Sequence, residues 1–559
     1  MRFRSRIVSM AIVFVIPLTT KINVAQDLSK TFIIDKRYIN FPIQMSQERQ
    51  KMNFIADKDT LTYSLIRLAD DSTDYWIFSD FSRYQGHKIA IHFSRSVSGI
   101  DKVYQSDFIA GHDSLYQEKY RPQFHFTSKR GWNNDPNGLV YHEGEYHLFY
   151  QHNPYEIYWQ NMHWGHAVSR DLIHWEELPD ALYPDKLGTM FSGSAVIDKV
   201  NSSGWGKDVL VAAYTAAAKD KQTQCLAYSR DKGRSFIKYN KNPVIDSKDK
   251  WNTSNTRDPK VFWYEPGKKW IMVLFEANGN SIYTSTNLKE WHYQSHIIGF
   301  WECPELFQLA VDGNPEYKKW VMYGASGTYM IGDFDGEKFQ PQAGKYRTFY
   351  GSIYAAQTYN NVPDNRRIQI GWGRIEQLGM PFNQMMLFPT ELTLRSTKEG
   401  IRLYGEPIKE IIKLHKNEYS WKDLSLDRAN EKLKNIKSDL LHLKASIELP
   451  KGIWFTIYYH GNWIVTFDGS YDMMNKVQFI QDEPGRYIFD LELLIDRTSV
   501  EAFFENGKMV VISPLQKPKD QEGLVIKADG NQLQVRNLEV YELKSIWEDF
   551  YPSSDHPFR

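Results

Sequence analysis

The sequence has little of three features that would each define a class of protein. Its 559 residues include only two cysteines, Cys225 and Cys303, which are too few for a disulfide scaffold or a zinc site. Its formal net charge is +0 and its pI is about 7.3, so its charge does not favour nucleic acid as a partner. Beyond residue 25, no apolar run reaches the about 20 residues that a membrane-spanning helix needs. No obligate protein partner is evident either.

The first 25 residues have the pattern of a secretory signal peptide. Three arginines lie within the first six residues, an apolar segment runs over 7–18, and Ala25 is a small residue at a cleavage point. The apolar segment is shorter than a membrane helix, and no cysteine near the cleavage point could carry a lipid. The pattern predicts an exported protein, periplasmic or extracellular, without a membrane anchor. The alternative is an uncleaved N-terminal anchor.

Aromatic residues and strand-like runs are abundant. Aromatic residues make up 15% of the chain, and they fill β-sheet cores or stack on sugar rings. Runs rich in β-branched and aromatic residues are bounded by turn residues, as at 145–151, 208–216, 260–266 and 269–277. Helical patterns are scarce, and residues 405–415 form one short candidate. The sequence therefore predicts an all-β protein.

A weak internal repeat favours a β-propeller. Three copies begin at Ser169, Ser229 and Ser285 and read SRDLIHWEELP, SRDKGRSFIKY and STNLKEWHYQS; a looser copy, GDFDGEKFQPQ, begins at Gly332. Repeats of this size that follow strands are typical of propeller blades. Four blades fit between about 118 and 345, and the stretch to about 395 leaves room for a fifth. A sandwich with chance similarity is the alternative.

The remaining regions predict two further β domains. Residues 27–115 indicate a small N-terminal β domain, and residues 405–545 read as a C-terminal β-sandwich. The predicted organisation is therefore a signal peptide (1–25), an N-terminal β module (27–115), a propeller (118–395) and a sandwich (405–545).

Asp135 is the first candidate for chemistry. It lies in WNNDPNG, between two strand-like runs, and Pro136 biases it toward extended geometry. Neighbouring asparagines can donate hydrogen bonds, which favour an ionised carboxylate. The alternative is an ordinary turn, since Asn, Asp, Pro and Gly are turn residues.

Two later acids could act with it. Asp258 also precedes a proline, and Arg257 beside it would favour its ionised form, although a surface ion pair is the common alternative. Glu302 lies between Trp301 and Cys303, and an apolar setting raises a Glu pKa toward the value that a general acid needs. Glu305 is the rival acid, and a strand-edge position is the ordinary interpretation of Glu302.

Three motifs carry a family resemblance. WNNDPNG (132–138), RDP (257–259) and EC (302–303), in this order, resemble glycoside hydrolase family 32, which includes invertases, inulinases and levanases. Other agreeing stretches are YQHNP (150–154), WGHAVSRDLIHW (164–175), FSGSAVID (191–198) and DRTSVEAFF (496–504). The resemblance covers about 118–545. It implies a five-bladed β-propeller followed by a β-sandwich, a retaining mechanism on β-D-fructofuranosidic bonds, and no metal or cofactor.

The resemblance also implies residue roles. Asp135 would be the nucleophile, Glu302 the general acid and then the base, and Asp258 a residue that binds fructose hydroxyls and stabilises the transition state. The positions that match the family's substrate-binding residues are Asn134, Gln151, Trp159, Phe191, Ser192 and Arg257. The expected partner is a fructan or fructo-oligosaccharide substrate.

Two departures from the family pattern leave the substrate preference open between levan, inulin and sucrose. FYGSIYAAQT (349–358) lacks the acidic residues of the family's DYGKDFYA-like segment. LGMPFNQMMLFPTEL (378–392) replaces its RGAMSLPREL-like stretch. Residues 27–115 are extra relative to a minimal invertase and resemble a module of some bacterial fructan hydrolases.

Bulky residues at Trp159, Phe191 and Trp301 favour a closed pocket and therefore exo-hydrolysis that releases fructose. The alternatives are an endo-acting levanase or inulinase and a fructosyltransferase. An inverting propeller hydrolase of arabinose or xylose polymers would need carboxyls about 6.5–9.5 Å apart, against about 5–5.5 Å for retention. The intact acidic trio argues against a non-catalytic fructan-binding protein.

Overall fold

Strands dominate this chain, and most of them pair antiparallel with a neighbour in sequence. The computed structural model describes residues 28–57, 59–478, 485–517, 519 and 522–548. The all-β prediction is confirmed over these residues. The predicted signal peptide lies outside them.

The N-terminal module, residues 28–115, consists of two small packed sheets. Its strands are β1 (Ser29–Ile33), β2 (Tyr38–Ile43), β3 (Gln50–Ala56), β4 (Asp59–Ile66), β5 (Tyr75–Asp80), β6 (Lys88–Phe93) and β7 (Tyr104–Ser106), with helix α1 (Gly99–Lys102). One sheet has the order β1-β6-β3-β4, so β4 is an edge strand, and the other has the order β5-β2-β7. Alternate buried residues such as Phe41, Phe54 and Ile91 form the core between them.

Four antiparallel meanders follow, each of four strands. They comprise β8 (Gly131–His142), β9 (Glu145–Asn153), β10 (His163–Ser169) and β11 (Glu176–Leu182); β12 (Thr189–Asp198), β13 (Val209–Ala218), β14 (Lys221–Ser229) and β15 (Ile237–Lys238); β16 (Thr256–Tyr264), β17 (Lys269–Glu276), β18 (Gly279–Ser285) and β19 (His292–Ile298); and β20 (Glu305–Val311), β21 (Asn314–Tyr323), β22 (Thr328–Phe334) and β23 (Phe339–Arg347). Helix α2 (Lys248–Trp251) lies between the second and third meanders. The strand-like runs identified from the sequence fall on β9, β13, β16 and β17, as predicted.

The repeat marks one recurring turn. Ser169, Ser229 and Ser285 each end the third strand of a meander. Two residues later, Asp171, Asp231 and Asn287 accept backbone N–H groups with their side-chain oxygens. The repeated letters are therefore the polar turn between the third and fourth strands, which short Asn and Asp side chains stabilise.

The next strands connect the end of this region with its beginning. They are β24 (Phe349–Gly351), β25 (Ile353–Thr358), β26 (Ile368–Gly373), β27 (Phe382–Asn383), β28 (Met385–Met386), β29 (Thr390–Thr397) and β30 (Gly400–Pro407). Strands β25, β26, β29 and β30 join the sheet of the fourth meander through a parallel β20–β29 pair. Strand β27 pairs parallel with β8, so late residues close onto the first meander.

The C-terminal strands form two sheets around a separate core. They are β31 (His415–Ser425), β32 (Leu441–Pro450), β33 (Phe455–Tyr459), β34 (Asn462–Asp468), β35 (Met473–Met474), β36 (Val477–Gln478), β37 (Arg486–Ile495), β38 (Ser499–Phe504), β39 (Met509–Pro514), β40 (Leu524–Ala528) and β41 (Gln534–Leu543). The sheet orders are β24-β39-β38-β37-β32-β41-β31 and β36-β35-β34-β33-β40. Strand β24, which follows the fourth meander in sequence, therefore pairs with β39 at the edge of a C-terminal sheet.

The helical prediction for 405–415 is wrong. Its first residues end β30, and a six-residue 3-10 segment, Lys409–Leu414, follows. An α-helix lies instead at α3 (Leu426–Leu433), where Leu426, Ala429 and Leu433 are buried. This i, i+3, i+7 spacing covers the C-terminal core and was too short to stand out in the sequence.

A buried charge cluster joins the C-terminal sheets to the meanders. His125 is 1% exposed, and its two ring nitrogens lie 2.8 Å from Asp496 Oδ2 and 2.7 Å from Glu501 Oε1. Burial alone would lower the pKa of His125, but hydrogen bonds to the two carboxylates outweigh it and raise the pKa to about 9. The imidazolium therefore stabilises the junction at neutral pH.

We predict that His125→Gln lowers stability by about 3–5 kcal/mol near pH 6, because two buried carboxylates lose their cation. The folded pKa of about 9 lies above the ordinary value of 6.5, so this stabilisation is complete below pH 6.5 and is lost as pH rises through 9. Urea denaturation from pH 6 to pH 9.5 measures it. The wild-type midpoint should fall more steeply with pH than that of the variant. The exposed His292→Gln is the control, and equal slopes in H125Q and wild type would contradict the assignment.

Candidate active site

Irregular strand pairing brings several polar side chains to one place. A β-bulge inserts an extra residue, breaks the ladder locally and re-aims a side chain, often beside active sites. Four of the register shifts in this structure concern the site and lie at Asn134–Asp135 on β8, Ser192 on β12, Asp258–Pro259 on β16 and Ala355–Ala356 on β25. Asn134 and Asp135 together oppose the single residue Gln151 of β9. Each bulge falls on or beside a residue of the site described below.

Asp135 accepts three hydrogen bonds from side chains. Ser192 Oγ donates to Oδ2 at 2.7 Å, Asn134 Nδ2 donates to Oδ1 at 3.3 Å, and Cys303 Sγ lies 3.6 Å from Oδ2. Burial nevertheless raises the pKa of Asp135 to about 6, and the charge of Glu302 adds to this rise. The sequence predicted that neighbouring asparagines keep Asp135 ionised, and of the three donors only Asn134 is one of them. All three donors lower its pKa, but burial outweighs them.

Asp258 is the most buried of the three acids, at 4% exposed. Its Oδ2 accepts the backbone N–H of Cys303 at 3.1 Å, and its own N–H donates to Thr215 Oγ1 at 3.0 Å. Arg257 Nε lies 3.7 Å from Oδ2. Burial raises the pKa of Asp258 to about 7, and Arg257 only partly opposes it. Arg257 thus favours the ionised form of Asp258, as predicted, but its effect on the pKa is smaller than that of burial.

Glu302 has a polar setting, contrary to the apolar one expected. Arg257 Nε donates to Glu302 Oε2 at 3.0 Å, with a second bond from its Nη2, and Tyr354 Oη donates to Oε1 at 2.6 Å. The neighbouring Trp301 is 50% exposed and packs against Phe275, with ring centroids 4.9 Å apart. The prediction from the sequence neighbours of Glu302 failed because its hydrogen-bond partners, Arg257 and Tyr354, lie on strands β16 and β25.

Glu305, the rival acid, lies elsewhere. It is fully buried at the start of β20, where its carboxylate pairs with Lys260 Nζ at 2.9 Å and accepts from Thr358 Oγ1 at 2.6 Å. A buried carboxylate that is matched with a buried cation stabilises the packing of the strands and has no access to substrate.

Cys303 connects two of the acids. Its thiol lies 3.6 Å from Asp135 Oδ2 and 3.5 Å from Asp258 Oδ2. Burial raises the pKa of this thiol, and the two carboxylates raise it further, so the thiol keeps its proton and can donate it. No sequence pattern predicted a role for this cysteine beyond its place beside Glu302.

The predicted substrate-binding residues line the same region. Ser192, Asn134 and Arg257 contact the acids directly, as described. Gln151 donates to the backbone carbonyl of Met190 at 2.8 Å. Trp159 and Phe191 meet edge to face, with ring centroids 6.0 Å apart. All six positions thus lie on strands or loops that adjoin the acids.

Sequence reasoning missed some contacts. Tyr354 lies in the segment noted for its missing acids, and no pattern there points to Glu302. Thr215 lies on the neighbouring strand β13, a relation that only the folded sheet reveals. Asn137 belongs to WNNDPNG. With its amide oriented to satisfy both neighbours, it donates to Ser192 Oγ at 3.2 Å and accepts from Gln151 Nε2 at 3.0 Å.

No group of three or more His, Cys, Asp or Glu side chains among the described residues could hold a metal ion. Likewise, none of the helices in the described ranges is long and apolar enough to cross a membrane.

Comparisons with known proteins agree with this geometry. Residues 125–407 match the glycosyl hydrolases family 32 N-terminal domain. A levanase of Bacillus subtilis (strain 168) is 40% identical over 495 residues, which cover 78% of this chain and 72% of the levanase. An extracellular exo-inulinase of Aspergillus niger is 31% identical, over 78% of this chain and 97% of its own.

Solved structures give the same result. The crystal structure of exo-inulinase from Aspergillus awamori has a TM-score of 0.67 and 29% identity, and the match covers 77% of this chain and 100% of that one. The fructofuranosidase from Schwanniomyces occidentalis complexed with fructose has a TM-score of 0.68 and 26% identity, over 77% and 99%. With a family match across half of its length and relatives above 30% identity, this chain belongs to glycosyl hydrolase family 32 and is a glycosidase.

Proposed function

We propose that this protein is a retaining glycoside hydrolase that cleaves β-D-fructofuranosidic bonds in fructans such as levan or inulin, and in sucrose. The observation that carries the proposal is the acid cluster, in which Asp135, Asp258 and Glu302 come from distant parts of the chain and are linked through Arg257 and Cys303. Relatives that are a levanase, an exo-inulinase and a fructofuranosidase with fructose support this substrate class.

The mechanism assigns two steps to two acids. Asp135 attacks the anomeric carbon of the fructosyl unit while Glu302 gives its proton to the glycosidic oxygen, so the bond to the leaving alcohol breaks and a fructosyl-enzyme ester forms. Water then adds to the same carbon, Glu302 takes its proton, and the ester bond to Asp135 breaks. Two inversions at one carbon give net retention.

The other residues would bind and orient. Asp258, next to both reacting acids through Cys303 and Arg257, is suited to hydrogen-bond fructose hydroxyls. Arg257 and Tyr354 fix the Glu302 carboxylate from two sides at 3.0 and 2.6 Å, which leaves it little rotational freedom. Asn134, Gln151, Trp159, Phe191 and Ser192 complete the proposed fructose site.

We propose exo-attack with release of fructose. Trp159 packs edge to face on Phe191, the residue before Ser192, and Trp301, the residue before Glu302, packs on Phe275, so bulky rings adjoin the acid cluster. Aromatic walls around one sugar unit favour a pocket that takes a chain end. Endo-attack and fructosyl transfer to a sugar acceptor would use the same acids and remain the alternatives.

The number of propeller blades belongs to the same proposal. We infer that β25, β26, β28 and β29 form a fifth blade after the four meanders. Their irregular pairing and the parallel contacts β20–β29 and β27–β8 are what a blade that closes the ring onto the first meander would produce.

We further propose that the protein is exported and that its mature chain begins near Gln26. Three features of the sequence support this: its positively charged start, its short apolar segment and the small residue before the cleavage point. One relative is also described as an extracellular exo-inulinase. Edman sequencing of protein recovered outside the cytoplasm should start within a few residues of Gln26. A chain that starts at Met1 and stays in the cytosol contradicts export.

The first activity prediction concerns pH. Asp135 must be ionised to attack, and its raised pKa of about 6 predicts that kcat/KM falls as pH drops through about 6. Ser192 lowers that pKa by hydrogen bonding, so Ser192→Ala should move the acid limb to higher pH. The measurement is kcat/KM on a fructo-oligosaccharide between pH 4 and pH 8.

The matched control is Ser194→Ala on the same strand. Ser194 is equally buried, but its hydroxyl donates to the carbonyl of Pro259 and accepts from Val261 N–H, with no contact to Asp135. This variant should keep the wild-type limb. If the pH at which kcat/KM falls is unchanged or lower in S192A, Asp135 is not the titrating nucleophile.

The second activity prediction concerns products. Early digestion of levan and inulin should release fructose alone, and sucrose should yield glucose and fructose with the β-anomer of fructose formed first. Asp135→Asn, which keeps the side-chain shape, should lower turnover by roughly 10⁴-fold or more while circular dichroism stays unchanged. A ladder of oligosaccharides before any fructose rules out exo-attack, and near-normal turnover of D135N rules out the mechanism.

A further inference from the structure

The loop between β9 and β10 carries an aromatic residue of the proposed substrate site. We call residues 154–162 the Trp159 loop. Trp159 is 49% exposed, and its main aromatic neighbour is Phe191. A half-exposed ring on a loop has few contacts of its own to hold it, so its position depends on how the loop is anchored.

A buried ion cluster anchors this loop to the N-terminal module. Glu156 is fully buried. Arg49 donates two hydrogen bonds to its carboxylate, from Nε to Oε1 at 2.6 Å and from Nη2 to Oε2 at 3.0 Å. Arg67 Nε adds a third at 3.3 Å. Both arginines belong to the module: Arg49 directly precedes β3, and Arg67 directly follows β4. A two-pronged guanidinium–carboxylate contact fixes direction as well as distance.

An amide–backbone pair and an aromatic contact reinforce the anchor. Asn161 Nδ2 donates to the carbonyl of Leu65 at 2.8 Å, and its Oδ1 accepts the Leu65 N–H at 2.8 Å. Leu65 lies on β4, an edge strand, so Asn161 satisfies backbone groups that an unpaired edge leaves open. Tyr155, 2% exposed, packs into the module's core beside Phe54.

The meander side holds the same loop. Asn153 Nδ2 donates to the carbonyl of Tyr158 at 2.7 Å, and Asn383 Nδ2 donates to that of Ile157 at 3.1 Å. The Trp159 loop is thus bound to the module through Glu156 and Asn161 and to the meander side through the carbonyls of Ile157 and Tyr158. If the module side were released, only the meander side would define where the indole lies.

From these contacts we propose that the N-terminal module is a positioning element of the substrate site, in which Arg49 and Arg67 act through Glu156 to hold Trp159 against the bound sugar. This inference rests on the proposed fructan-hydrolase function and assigns that site three positioning residues. None of the three touches the acids, so they would set substrate affinity and leave the chemical step unaltered.

The test compares KM and kcat for Glu156→Gln, which keeps the size of the side chain and removes its charge. Arg49 and Arg67 are 32% and 23% exposed and can rehydrate, so the fold should survive. We expect KM on levan or inulin to rise roughly tenfold, while kcat stays within about twofold of the wild-type value. This pattern shows the loss of a binding interaction that is equally strong in the ground state and the transition state. Arg49→Gln, which leaves Arg67 in place, should give a smaller rise in the same direction. Lys36→Gln, which breaks an exposed ion pair with Asp107 inside the module, is the control and should leave both constants unchanged.

A double-mutant cycle separates positioning from general destabilisation. Trp159→Ala should itself raise KM, and Glu156→Gln should add nothing further in the W159A background, because the two changes remove the same contact. Additive effects, or an unchanged KM in E156Q with a raised one in W159A, overturn the positioning role while the proposed function stands. An unchanged KM in W159A would instead reject the placement of Trp159 in the substrate site.

Discussion

Two carboxylates kept largely out of water are the constraint on which the site depends. Asp135 and Asp258 lie close enough to share the Cys303 thiol, and desolvation raises the pKa of both. Such a pair persists only if nearby donors satisfy it. The bulges on β8 and β12 provide two of these donors, Asn134 and Ser192, and the bulge on β16 carries Asp258 itself. The irregular pairing is therefore part of the site's construction.

The same principle operates where the domains meet. At one junction His125 lies between Asp496 and Glu501, and at another Glu156 lies between two arginines of the N-terminal module. Burying unlike charges together contributes little net stability, but separating them is costly. Such clusters therefore favour one relative placement of the joined parts over others. A single relative placement is needed here because β24 pairs with β39 in a C-terminal sheet and β27 pairs with β8 of the first meander.

Much of this could be predicted from the sequence, and the failures have a common cause. Strands, the polar turn of the repeat, and the candidate acids Asp135 and Asp258 carry local signals, such as period-two patterns and a following proline. The setting of Glu302 was predicted wrongly from its neighbours Trp301 and Cys303, because its partners Arg257 and Tyr354 come from other strands. Helix α3 was missed because its apolar pattern spans only eight residues. Tertiary contacts decided every case in which local patterns failed.

The order in which the two buried acids gain protons completes the account of the site. Because they interact, they titrate as a pair, and the first proton goes to the group with the higher affinity. Asp258 is the more desolvated, and its pKa of about 7 exceeds the value of about 6 at Asp135. As pH falls, Asp258 is therefore the first of the two to gain a proton. Ser192 and Asn134 reinforce this order, since both donate hydrogen bonds to Asp135 and favour its ionised form. Unequal burial of two chemically identical groups thus makes them differ in how readily they gain a proton.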